Sequence, residues 1–345
     1  MKKVTFDDYL KFLNSHDKVE FGENAIHLDP IKVDRLKPEE DELTNISTTV
    51  WSFPKRGSWA THKGDYRGNF APQIPRAVIL KYTDVGDTVL DPMVGSGTTC
   101  VEAKLLGRNC VSVDVNINAV MLTLHRLYWL EKYLDECKDF LEEVSCEDIR
   151  KAKVDVYIGD ARKLTELNDE SVDLVVTHPP YFNIIDYTSG IDGDLSSYTK
   201  LENYISALKE IGEEIYRVLK KEKQFAVLLG DTRIKKHYVP ITSYALLTLL
   251  QVGFVLREEV IKIQHKMKTT REVWRKGKRD FLLIYHEKLY IFDKTEEVKK
   301  YKYSSGEMVR TLFYQSENNK TLFSSSSEES IRYMLRIHDI RYYKW

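Results

Sequence analysis

Residues Gly86 to Val115 read GDTVLDPMVGSGTTCVEAKLLGRNCVSVDV, and three changes of pattern run through them. Thr88 to Leu90 are a short apolar run stopped by Asp91-Pro92; Gly95-Ser-Gly97-Thr-Thr follow; Val101 to Leu106 then take up a helical pattern. That is strand, glycine turn, helix. A second strand, Cys110 to Val113, ends on Asp114, an acid at the strand tip beside the turn. In an open parallel sheet, ligands bind off the carboxyl ends of the strands, where a helix N-terminus and a ribose-binding carboxylate converge. Glycines allow close backbone approach, and Asp114 can accept two hydrogen bonds from ribose hydroxyls.

The turn excludes one ligand class and weakens another. A phosphate-cradling loop needs Lys-Ser/Thr after its last glycine, and Thr98-Thr99 stand there with no lysine. A dinucleotide site places a third glycine where this chain has Cys100. Composition adds bounds. The chain has 345 residues, 42% hydrophobic and 30% charged with a net charge of −1, enough for one large α/β domain with an appendage. No run of about 18 apolar residues occurs and MKKVTFDDYL lacks a signal-peptide core, so a soluble, cytoplasmic protein with no membrane segment is expected. Four scattered cysteines, without a C-x-x-C or a histidine pattern, read as buried free thiols and argue against a metal site. Near-zero net charge says little about nucleic acid, which is bound by local patches.

Residues 1–48, acid-rich at KPEEDEL, read as a peripheral arm. From Trp51 to Arg76 the chain turns dense in aromatics, glycine and basic residues, a segment suited to cover the ligand end of the first strand. Ala77 to Tyr82 give one or two helical turns, and Asn118 to about Lys151 a long amphipathic helical region. Further strands are expected at Val154–Ile158, ending Gly159-Asp160; at Val172–Val176, ending Thr177-His178-Pro179-Pro180-Tyr181; and at Phe225–Leu229. Tyr198–Lys220 and Pro240–Leu250 read as helices. Phe254–Ile263 and Phe281–Tyr285 read as an antiparallel pair closing the sheet. This alternation predicts a doubly wound α/β fold.

His178-Pro-Pro-Tyr181 forms the second constellation. Two prolines after a buried strand stop the ladder and fix an extended lip at its ligand end. The Pro179 carbonyl is free to accept, and Tyr181 offers a flat ring. Such a lip suits a planar substrate with an exocyclic NH₂: the carbonyl and residue 178 accept its hydrogens and turn its lone pair toward a methyl donor.

Together, Asp91-Pro92-Met-Val-Gly95-Ser96-Gly97-Thr98-Thr99, Val113-Asp114-Val-Asn116 and Thr177-His-Pro-Pro-Tyr181 resemble the amino-group DNA methyltransferases, which methylate cytosine N4 or adenine N6 with S-adenosylmethionine. Gly68-Asn-Phe70-Ala-Pro72-Gln-Ile-Pro-Arg76 is similar to that family's additional cofactor motif. The resemblance covers roughly Trp51 to Glu287. It implies a seven-stranded class I methyltransferase sheet, mostly parallel with an antiparallel end, over residues 49–290, followed by a small region 291–345 that is a candidate for target recognition. It places Asp114 on the ribose, Asp160 near the adenine ring and Asp91 near the methionine end, with Ala161 also among the cofactor-binding residues. With the glycine motif preceding the Pro-Pro motif, the order is that of permuted members. Position 178 departs from the family's Asp, Asn or Ser. A neutral imidazole still accepts through its unprotonated nitrogen, so the role survives while the base stays open. Thr177 resembles the cytosine-N4 version of the motif and tilts the reading that way.

For the nucleic acid, KIQHKMKTTREVWRKGKR places Lys266, Lys268, Arg271, Arg275, Lys276, Lys278 and Arg279 around Trp274, a composition that follows a phosphate backbone and stacks on a base. Lys55, Arg56, Trp59, His62, Lys63 and Arg67 add a second wall, although Trp51 and Trp59 equally suit core packing. The expected protein is the modification enzyme of a restriction-modification system, with DNA and a cognate endonuclease as partners and no metal. Two rivals are an RNA base-amino methyltransferase and a subunit that binds cofactor or DNA but has lost catalysis.

Overall fold

In chain order the elements are β1 (Lys2–Val4), α1 (Phe6–Leu13), β2 (Lys18–Phe21), β3 (Asn24–His27), β4 (Val50–Ser52), α2 (Gln73–Tyr82), β5 (Thr88–Asp91), α3 (Thr98–Leu105), β6 (Asn109–Asp114) and α4 (Ile117–Leu134). They continue with α5 (Cys146–Lys151), β7 (Val154–Ile158), β8 (Val172–Thr177), α6 (Leu201–Val218), β9 (Leu219–Leu229), β10 (Thr232–Ile234), β11 (His237–Val239), α7 (Ile241–Val252), β12 (Val255–Ile263) and β13 (His286–Asp293). This computed structural model describes residues 1–39, 46–134, 144–182, 188, 190–234, 236–265 and 280–295.

One sheet organises the molecule, in the order β1-β7-β6-β5-β8-β9-β13-β12-β4. Strands β7, β6, β5, β8 and β9 are parallel, and β13 runs antiparallel between β9 and β12. Seven strands with an antiparallel end are the number expected, six of them where the sequence placed them; β1 and β4 extend the two edges. All six residues of β8 are buried, as a central strand covered on both faces requires. Its side chains alternate accordingly: Leu174 and Val176 join the core under α2, α3 and α4, and Val175 joins the core under α6 and α7.

Several expectations need correction. The first 28 residues are part of the domain: β1 pairs with β7, and the buried Tyr9 of α1 meets Nδ1 of His125 on α4 through its hydroxyl at 2.7 Å. A reciprocal cap between Thr5 and Asp8 starts α1, worth about 1 kcal/mol. A three-residue strand is too short for its periodicity to stand out beside the acidic KPEEDEL. Phe281–Tyr285 is not strand; the ladder begins at His286, and Leu282 is 83% exposed. The reason is the length of the neighbours. Strand β12 ends at Ile263, opposite His286, and β9 at Leu229, opposite Lys288; beyond them a single backbone bond, from the Gln264 N–H to the Tyr285 carbonyl at 3.1 Å, continues the pairing, and residues 281–285 form no strand. The strand then runs to Asp293, across the expected domain edge at 290. Cys100 and Cys110 are buried free thiols as expected, whereas Cys146 is disulfide-bonded.

Candidate active site

The carboxyl ends of β5, β6 and β8, the end of β12 and the start of β13 all open on the same rim of the sheet. Between them lies a cavity of about 510 Å³, within the usual range for small-ligand sites. Asp114 lines one part of it and Pro179 another, so the two constellations separated in sequence share one space.

The glycine turn shapes the first half. Gly95 and Gly97 have φ of +54° and +82°, the left-handed region, and a Cβ on Gly95 would lie 3.1 Å from the Tyr66 ring. Asp91 ends β5 and is buried; it accepts from Thr99 Oγ1 at 2.6 Å, Thr177 Oγ1 at 2.8 Å and the Met93 N–H at 3.2 Å. Burial nevertheless pushes its carboxyl up to about 6, against those hydrogen bonds. Asp114 accepts one backbone N–H on each oxygen, from Gly95 and Asn116 at 2.9 Å each. One lone pair per oxygen is left for a diol. Burial raises its carboxyl to about 6 as well.

Phe70, Asp91, Pro92, Gly95, Ser96, Thr98, Asp114, Asn116 and Ala161 line the cavity. Three other expected residues support it from behind. Pro72 caps α2, Gly97 packs on Thr123, and Thr99 holds Asp91. Asp160 stands behind the cavity wall: Arg162 takes its carboxylate in a fork, with contacts of 2.6 to 3.1 Å, and that carboxylate lies 2.7 Å from where a Cβ would stand on Gly193, which lines the cavity. The donors present fit S-adenosylmethionine. Asp114 suits the ribose, and the buried Thr98 Oγ1, in the first turn of α3, has no partner of its own among the described residues.

In the second half, Tyr181 lies on Gly230, where an added Cβ would sit 2.7 Å from its ring. His178 Nε2 is 2.7 Å from the Tyr181 hydroxyl, which donates to Glu287 Oε1 at 2.5 Å; Glu287 Oε2 accepts from Lys262 Nζ at 2.8 Å. The Phe70 ring covers His178 with centroids 5.4 Å apart. Burial takes the imidazole down to about 4, so it is neutral at pH 7. For Glu287, burial pushes upward, but Lys262, His178 and the hydrogen bonds from Lys262 and Tyr181 outweigh it and hold the carboxyl at about 2.

The two basic walls fare unequally. Arg56 lines the cavity and donates to the Phe70 carbonyl at 2.7 Å, while Lys55 is exposed and 3.6 Å from Glu39. Trp59 and His62 are core. Both bond Glu102 Oε1, at 2.7 and 2.6 Å, beside Arg76 on Oε2 at 3.1 Å. Lys266, Lys268, Arg271, Trp274, Arg275, Lys276, Lys278 and Arg279 lie outside the described residues. Sequence reasoning missed Lys262 and Glu287. They are direct partners across β12 and β13, and seeing that required the strand register. No cluster able to hold a metal, and no helix long and apolar enough to cross a membrane, occurs among the described residues.

The family model described as DNA methylase (N6_N4_Mtase) matches residues 5–124 and 172–340, and a model described as RMKL-like, methyltransferase domain, matches 72–242. The Type II methyltransferase M.BsoBI of Geobacillus stearothermophilus is 27% identical over 134 residues, 36% of this chain and 24% of that protein. The tRNA (guanine(10)-N2)-dimethyltransferase of Methanocaldococcus jannaschii is 34% identical over 116 residues, 33% of this chain and 29% of that protein. The chain thus spans less than a third of the length of either relative. A solved SAM-dependent methyltransferase from Methanosarcina mazei aligns with a TM-score of 0.40 at 15% identity, covering 63% of this chain and 97% of that one. With the DNA methylase model matched over well more than half of its residues, the chain belongs to the N6-adenine/N4-cytosine DNA methylase family.

Proposed function

We propose that the protein transfers a methyl group from S-adenosylmethionine to an exocyclic amino nitrogen of a flipped DNA base. Cytosine N4 is favoured over adenine N6 by Thr177 in the motif. When bound, the cofactor supplies an electrophilic methyl group on a sulfonium. Asp114 holds the donor's ribose and the α3 N-terminus with Thr98 faces its polar end. His178 and the Pro179 carbonyl take the two hydrogens of the amine, and Tyr181 and Phe70 flank the base. A base inside a duplex cannot reach this rim, so flipping follows from the chemistry. The carrying observation is that Asp114 and the His178-Pro-Pro-Tyr181 lip border one 510 Å³ cavity.

Residues 266–279, with Arg56 beside the cavity, form the nucleic-acid wall in this reading, and the region after 290 contributes to target choice. As a permuted member of its family, acting in the cytoplasm, the protein serves as the modification enzyme of a restriction-modification system with a cognate endonuclease. A second reading, base-amino methylation of RNA, draws on the tRNA-modifying relative. Incubation with tritiated S-adenosylmethionine and DNA or RNA side by side, followed by nucleoside analysis, separates them. N4-methylcytosine from DNA is the expected product. N6-methyladenine moves the base, a labelled RNA nucleoside supports the second reading, and cofactor binding without transfer to either polymer supports an inactive subunit.

A further inference from the structure

Four side chains from three separate segments form a line that ends at the motif's imidazole. Lys262 leaves β12 and Glu287 leaves β13 as direct cross-strand partners, so the sheet register sets their relative positions. Beyond them come Tyr181 and His178 of the lip, with successive contacts of 2.8, 2.5 and 2.7 Å. Hydrogen-bond accounting along the line has one solution. An ionised carboxylate only accepts, so the single hydroxyl proton of Tyr181 points at Glu287. The oxygen of Tyr181 must then accept from His178, which places the ring proton on Nε2. Nδ1 is left as a bare acceptor, and it is buried with no partner among the described residues.

We infer that Glu287, oriented by Lys262, sets the tautomer of His178 through Tyr181, so that Nδ1 is the atom offered to the substrate's amine; Glu287 and Lys262 are positioning residues for transfer. The assignment of Nδ1 to an amine rests on the methyltransferase reading; the tautomer itself does not. It explains how a histidine stands where the family resemblance has Asp, Asn or Ser, because imidazole accepts on one nitrogen only when its other nitrogen carries the proton. It also gives Lys262 a purpose. An unneutralised Glu287 near the ring would favour the imidazolium, which has no acceptor; Lys262 from β12 and Arg56 from the segment between β4 and α2 oppose that charge. Phe70 on the ring face and Gly230 behind Tyr181 fix the planes in which these bonds form.

Glu287→Gln is the informative variant. Lys262 retains the amide oxygen, the amide NH₂ then faces the Tyr181 oxygen, the hydroxyl turns to Nε2, and the ring proton moves to Nδ1, which becomes a donor. In ¹⁵N-histidine-labelled protein, with the His178 signals assigned by their loss in His178→Asn, the wild type is expected to be protonated on Nε2 at pH 7 and Glu287→Gln on Nδ1. Transfer should fall roughly 10²- to 10⁴-fold in kcat, the scale of a mis-set tautomer, with KM for the cofactor within about twofold. An asparagine accepts through its own oxygen whatever Tyr181 does, so adding Glu287→Gln to His178→Asn should cost less than about threefold. A wild-type proton on Nδ1, an unchanged tautomer in Glu287→Gln, or losses that multiply in the double variant would each overturn the inference. The spectra need no substrate, so they decide the tautomer even where no nucleic acid is methylated.

Discussion

Gly230→Ala tests the lip from outside the motif. Gly230 has no left-handed φ, so alanine suits the backbone, but its Cβ would lie 2.7 Å from Tyr181 Cε2 and 3.0 Å from Cζ. Ordinary contact begins near 3.4 Å, so the ring must retreat by about 0.7 Å. A shift of that size lengthens the hydroxyl's contacts with Glu287, now 2.5 Å, and with His178, now 2.7 Å, by at most about 0.7 Å each, enough to take either to the edge of hydrogen-bond range. A charge-assisted hydrogen bond of this kind is worth about 1.5–3 kcal/mol, which converts to a loss of about 10- to 150-fold in transfer rate. Overpacking costs about 1–3 kcal/mol of stability, so the rate is measured well below the melting temperature. The assay is single-turnover transfer of tritiated methyl to DNA, alongside cofactor affinity by calorimetry. A wild-type rate, or a cofactor affinity that falls as far as the rate, would refute the placement of Tyr181 in the acceptor half.

The pH dependence should split. Burial raises Asp114 to about 6, so kcat/KM for the cofactor falls below about pH 6 as the free enzyme takes up that proton, whereas kcat holds until His178 becomes cationic near pH 4. Asp91 also titrates near 6, so the comparison is with His178→Asn: a kcat drop at pH 6 in the wild type that His178→Asn lacks would contradict a depressed His178. Thr98→Val removes a buried hydroxyl without a described partner; the free protein should melt at an equal or higher temperature while cofactor affinity falls roughly 2- to 10-fold, and unchanged affinity would remove Thr98 from the site. Glu102→Gln breaks a fully buried group shared by Trp59, His62 and Arg76; it should cost about 3–5 kcal/mol, lowering Tm by roughly 5–15 °C, and a shift within about 1 °C would show that the cluster contributes little.

Much of the fold was legible because its signals are local. The run ending at Asp91, the turn through Gly95 and Gly97 and the strand ending at Asp114 each announce themselves within a few residues, and the structure keeps them close to their expected positions. The lip at Pro179-Pro180 was legible for the same reason: prolines act on the backbone where they stand. What stayed hidden depends on pairing across long stretches of chain. Strand β1 is visible only through its partner β7, and Phe281–Tyr285 looked like a strand because its apolar residues carry no record of where β9 and β12 end. Lys262 and Glu287 read as ordinary charges until register made them neighbours. At Asp160 the strand-tip acid was legible, while its fork with Arg162, two residues on, was not.

The central claim is that donor and acceptor occupy two halves of one cavity, with Asp114 serving the first and His178 the second. Calorimetric titration of S-adenosylmethionine into the wild type, Asp114→Ala and His178→Ala, paired with transfer rates on DNA, measures that division. Asp114→Ala is expected to lose most of its cofactor affinity, about 100-fold, since two hydrogen bonds from a diol to a carboxylate disappear. His178→Ala is expected to bind the cofactor within about twofold of wild type and to transfer methyl at least about 100-fold more slowly. Loss of cofactor affinity in His178→Ala equal to that in Asp114→Ala, or full affinity in both, would contradict it.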